Sequence, residues 1–158
     1  MNVATPTTSS TQLAIRRPFL ARFVALHAAV LAPLAVWAIA VPVAGLRLQI
    51  RFGHAAVQQV SPRDIIAASL LGALLGWGFL ALLERRTPRA RMLWTAAATI
   101  ALLLSLALPL SGATATSTRL ILALMHFTVA AVLIPVLYRT SPPRPAVHGA
   151  PAHRRRLA

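Results

Sequence analysis

Few side chains in this sequence can do chemistry, and they lie far apart. His126 stands near the middle of a long apolar run, His27 lies in an earlier one, and Glu84 ends a third where arginines begin. A titratable group inside an apolar span is a functional candidate by default. For His126 the chemistry would be a proton relay, a ligand contact or metal ligation. The competing reading is a neutral imidazole bonded to a backbone carbonyl, or to a Ser/Thr hydroxyl across a helix bundle. His27 follows Arg22 by less than two helical turns, which puts it near the headgroups. By helix rise, His27 lies ~10 Å to the basic side of its span's midpoint, whereas His126 lies slightly past its own midpoint on the other side. The two histidines are therefore not expected to share a metal.

Glu84 could act as a catalytic or coupling carboxylate. The plainer reading pairs it with Arg85, Arg86 or Arg89, or with a partner on another segment at the same end. The chain's other acid is Asp64. Ser61 as N-cap, Pro62 at the first helical position and Asp64 as the third residue form a capping box, which explains that acid without chemistry. There is no cysteine, so disulfides, thiolate metal sites and cysteine nucleophiles are excluded. With no buried acid beside a histidine, a zinc ligand set is not available either. The sequence has no phosphate-binding loop, nucleophile elbow or paired acids. Ser69, Thr99 and Ser105 stand in spans without a charged partner and read as interhelical hydrogen-bonders. The expectation is a protein that is not an enzyme and needs no cofactor.

The elements that position these residues follow from composition. Of 158 residues, 58% are hydrophobic and 11% charged, with mean hydropathy +0.72. So short a chain cannot hide that much apolar surface in a water-soluble core, so its main solvent is lipid. The stretch Asp64 to Arg91 shows the pattern best: an uncharged segment, Ile65 to Leu83, runs into ERRTPRAR. The fold class expected is an all-α membrane protein, a bundle of four transmembrane helices over about 19–45, 64–83, 89–110 and 118–138. Uncharged runs of 19 residues give ~28 Å of helix, close to the hydrocarbon thickness. Pro33 and Pro42 predict a kink in the first helix. Ala68, Gly72 and Gly76 recur every four residues and predict a helix-packing face, internal to the bundle in preference to between subunits. Trp94 and Tyr138 fit an interfacial aromatic belt, while Trp37 and Trp77 lie deeper and read as packing residues.

Residues 46–63 form the one long loop. Leu46, Leu48, Ile50 and Phe52 alternate with Arg47, Gln49 and Arg51, the period of a strand. Gly53 to Ala56 can turn and Val57 to Val60 can return, which predicts a short β-hairpin over the helix ends. Residues 1–18 and the Pro- and Arg-rich residues 140–158 are expected to be disordered tails. Arg16-Arg17-Pro18-Phe19-Leu20 also resembles a twin-arginine export signal. A basic flank is the preferred reading, because the apolar run that follows is long for a signal peptide and further spans come after it.

Charge sets orientation and partners. All 16 basic residues are arginine, and the net charge is +14. Such a charge can indicate nucleic acid, but here it sits at the ends of apolar segments, where it orients helices against anionic lipid. No nucleic-acid partner is expected. Twelve arginines fall on the side shared by both termini and four on the hairpin side. The positive-inside rule then puts both termini in the cytoplasm. The partners expected are the bilayer, anionic lipids at the arginine-rich flanks, and either further copies or another membrane protein.

GWGFLALLERRTPRARMLW, then PLSGA, then LALMHFTVAAVLIPVL are similar to an uncharacterised family of small bacterial four-helix membrane proteins. The resemblance covers about Phe19 to Thr140 and is most specific over Gly76 to Trp94 and Leu122 to Pro135. It implies a bacterial cytoplasmic membrane and four spans. It brings no site residues with it, since none are established for the family. Three functional classes stay open: a structural or accessory membrane protein, which is preferred, a small transporter or channel acting as an oligomer around His126, and a lipid-modifying enzyme.

Overall fold

The computed structural model of the chain describes residues 8–141, with side chains from Pro18 onward. Helix α1 (Thr8–Ala38) continues through one wide π turn, Ile39–Val43, and strands β1 (Gln49–Ile50) and β2 (Gln58–Gln59) follow. Helix α2 (Pro62–Arg86), α3 (Ala90–Ser105), α4 (Ala107–Gly112) and α5 (Thr116–Thr140) complete the order. Four helical stretches are long and apolar enough to cross a membrane: Pro18–Val43, Pro62–Arg86, Ala90–Gly112 and Thr116–Thr140. The four-helix bundle with a hairpin between its first two spans is the observed architecture.

Proline shapes two of the spans. Pro42 has no N–H to give to the carbonyl four residues back, so the ladder widens, and the Ala44 N–H bonds to the Ile39 carbonyl at 2.9 Å. Gly45, with φ of +67°, turns the chain out of the helix. The third span is broken where one helix was expected. Pro109 leaves the Ser105 carbonyl without its usual donor, and the helix interrupts at Leu106, between α3 and α4. The first helix also starts earlier than expected. Residues 1–7 lie outside the described residues, but the backbone is helical from Thr8, within the stretch read as a disordered tail. No proline lies between Thr8 and Ala14 to stop the helix from extending into this stretch. Of the tail read over residues 140–158, Thr140 closes α5, and residues 142–158 lie outside the described residues.

The start of α2 matches the sequence reading. Ser61 accepts from the Asp64 N–H, and the Asp64 carboxylate accepts from the Ser61 N–H at 2.9 Å and its hydroxyl at 2.7 Å. Such a cap stabilises a helix by about 1 kcal/mol.

Helix α1 packs chiefly on α5 and α2, and α3 on α2 and α5. Three apolar layers stack along the bundle. Leu26, Ala29 and Ala73 form the middle, with Trp77, Val129 and Leu133 around them. At the hairpin end Leu48, Ile65 and Met125 pack with Val36 and Trp37. At the other end Leu80, Trp94 and Leu137 pack with Leu83 and Ile134. Large apolar side chains outside these layers, such as Leu31, Leu104 and Leu120, are exposed, as expected of a lipid-facing surface.

The hairpin is shorter than the alternation suggested, with Gln49 opposite Gln59 and Ile50 opposite Gln58. Its position comes from contacts with the helices. The Trp37 indole N–H donates to the Val60 carbonyl at 3.2 Å. On the other edge Arg51 N–H donates to Gly112 O at 2.7 Å, and Thr114 N–H to Gln49 O at 3.2 Å. The α4–α5 connection thus covers one edge of the hairpin.

Candidate functional site at the basic end of the bundle

The end opposite the hairpin holds the salt bridge found among the described residues. Glu84, in the last turn of α2, accepts two hydrogen bonds from Arg22 of α1, at 2.6 and 3.1 Å. The same guanidinium donates to the Thr140 hydroxyl and to the Thr140 carbonyl, both at 3.0 Å. A planar fork with five donors can serve a carboxylate and a helix terminus together. It also suits the site electrostatically, because α2 and α5 both end here with unsatisfied carbonyls and negative dipole ends. Of the pairing partners the sequence offered Glu84, the one on another segment is observed.

A second arginine works beside it. Arg91, in the first turn of α3, donates to the carbonyl of buried Ser141 and lies 4.7 Å from the ring centre of Tyr138. The indole N–H of Trp94 donates to the Gly76 carbonyl at 2.8 Å. Trp94 is buried in the bundle layer at this end and is not part of an aromatic belt, because that hydrogen bond draws it against α2.

The histidines stay apart and turn back on their own helices. Nδ1 of His126 is 2.7 Å from the Leu122 carbonyl, and Nδ1 of His27 is 2.9 Å from the Phe23 carbonyl. A carbonyl only accepts, so each Nδ1 carries a proton, and in a neutral ring Nε2 remains an acceptor. His126 is half-buried. His27 is exposed, with its ring 4.5 Å from that of Phe23. Among the described residues there is no group of three His, Asp or Glu side chains that could hold a metal.

The small-residue face differs from expectation. Ala68 and Gly72 are exposed, Gly76 is half-buried, and a Cβ added at Gly72 or Gly76 would meet no neighbouring atom within 4 Å. The inward face of α2 is instead Ile65, Ser69, Ala73 and Leu80, one residue further on. Close approach is made by alanines: Ala25, Ala29 and Ala73 are all at most 3% exposed. The glycines were the more conspicuous signal, but alanine pairs suffice for close packing. Arg22 and Arg91 were not singled out either. Their signal was the scarcity of acids, which leaves arginines to bond with carbonyls.

Residues 13–143 match the model of a family of unknown function, DUF6069. No curated protein and no solved structure matches the chain.

Proposed function

We propose, from the premise that the chain belongs to this family of unknown function, that it is a structural or accessory protein of a bacterial cytoplasmic membrane and not an enzyme. The observation that carries the reading is how its scarce polar groups are used. Asp64 caps a helix, Glu84 and Arg22 tie the ends of α2 and α5 to the body of α1, and both histidines bond within their own helices. Each of these side chains serves the bundle. The arginine-rich end faces the cytoplasm and draws anionic lipid by charge, an attraction that falls as salt is raised.

The second reading is a small transporter or channel formed by several copies around His126. It is favoured by the imidazole Nε2, which has no hydrogen-bond partner among the described residues, and by the outward-facing Ala68 and Gly72. Purified protein in vesicles loaded with a pH-sensitive dye tests the two. The accessory role expects proton flux no greater than in empty vesicles. Flux that His126→Gln abolishes would establish the transporter in its place.

A further inference from the structure

Between the start of α3 and the last turn of α5 the basic end holds a groove of about 630 Å³. Its wall combines two kinds of surface. Arg89, Arg91 and Tyr138 supply charge and hydrogen bonding, while Met92, Thr95 and Ala96 continue along the flank of a membrane span. Thr95 lies roughly 7 Å deeper along α3 than its first residue, by helix rise. The groove thus runs from the arginine end of α3 along its apolar flank.

Charge balance points to an occupant from outside the chain. The two acidic side chains are Asp64 and Glu84. Asp64 is bonded to Ser61 at the far end, and Glu84 is held by two nitrogens of Arg22. No carboxylate side chain is left for Arg89 or Arg91. Arg91 is nonetheless fixed in place by Tyr138 and Ser141. Arg91 is itself only half-buried, and it lines the groove wall beside Arg89. Helix α3 also begins without a side-chain cap, so its positive end adds to the field at the same place.

We propose that this groove binds one anionic phospholipid, with its phosphate against Arg89 and Arg91 and an acyl chain along Met92, Thr95 and Ala96. This deepens the reading of arginine-rich flanks attracting lipid by charge, from a diffuse attraction to a site. The groove's extension along the span favours a lipid over a soluble anion.

Native mass spectrometry of the full-length chain in detergent, with phosphatidylglycerol or phosphatidylcholine added, tests the site. One phosphatidylglycerol should stay bound under activation that removes phosphatidylcholine. Arg89→Gln with Arg91→Gln should weaken its binding roughly tenfold. Arg85→Gln with Arg86→Gln removes equal charge from the same end but outside the groove wall, and should change binding less than about twofold. Met92→Trp fills the groove and spares both arginines, so its loss of lipid supports the site even where Arg91→Gln fails to fold. Equal weakening by the two double variants would overturn the site and leave only charge attraction. Equal retention of the two lipids would refute both. Displacement of phosphatidylglycerol by millimolar inorganic phosphate would reassign the groove to a soluble anion.

Discussion

Arg22 has partners on two other helices, Glu84 and Thr140, and that makes it the residue whose loss should be felt most widely. The pair is largely withdrawn from solvent, with side chains 11% and 18% exposed. Glu84→Gln leaves the guanidinium without its counter-charge and should destabilise the protein by roughly 1–3 kcal/mol. Arg22→Lys keeps the charge but loses the fork and should fall in between. Thermal unfolding in detergent measures both, and a Glu84→Gln variant that melts with the parent would mean the knot is idle. His126 should be more forgiving. Its partner, Leu122 O, lies four residues back in the same helix, so His126→Leu should cost at most about 1 kcal/mol and His126→Gln less. A loss well above that in the same unfolding assay would mean Nε2 holds something that matters to the fold. The sequence marked Glu84 and His126 as candidates because a titratable group in or beside an apolar run is conspicuous. It could not choose their partners, which depend on where other helices end in space.

At the scale of the elements, two glycine positions give opposite expectations. Gly72 has open space around its missing Cβ, whereas its neighbour Ala73 is 1% exposed inside the middle layer. Gly72→Leu should leave the monomer's melting temperature unchanged, and Ala73→Leu should destabilise it by roughly 1–3 kcal/mol. The reverse order would return the glycine face to the bundle interior. Gly112 is different, because a Cβ there would run into the ring of Phe52. Gly112→Ala should loosen the contact between hairpin and α4, lowering the melting temperature. Adding Phe52→Ala should restore part of the loss, a coupling that a double-mutant cycle reads directly. If the two effects are simply additive, the ring is not what Gly112 accommodates. The capping box of α2 was legible in sequence because its residues are contiguous. The inward face of α2 was not, since Ala68 and Ala73 are chemically alike and only the neighbouring helices distinguish them.

For the whole molecule, arginine distribution predicts the topology. Both termini and the α2–α3 connection should face the cytoplasm, and the hairpin and the α4–α5 turn should face outward. The natural chain has no cysteine, so Ser10→Cys, His54→Cys, Thr87→Cys and Thr114→Cys can be probed singly with an impermeant thiol reagent in intact cells. Labelling is expected at positions 54 and 114 alone. Labelling confined to positions 10 and 87 would reverse the orientation. Span number and the hairpin were readable because hydropathy and strand period are local properties of the chain. How the spans pack was not readable, because so few polar groups remain to select neighbours.

The knot at Arg22 also has a consequence in time. Arg22 and Glu84 are 62 residues apart along the chain, and Arg22 and Thr140 are 118. At roughly 5–20 residues per second of synthesis, the arginine waits on the order of 3–12 s for its carboxylate and about 6–24 s for its last partner. Throughout that interval the first helix can be in the membrane, but the ends of α2 and α5 are not yet tied to it. A chain cut short just before residue 140 would carry almost every apolar segment needed for insertion and would lack the bond that closes the bundle. The ribosome therefore delivers Thr140 last among the partners of Arg22, and the first helix is caught by the fourth span only near the end of synthesis.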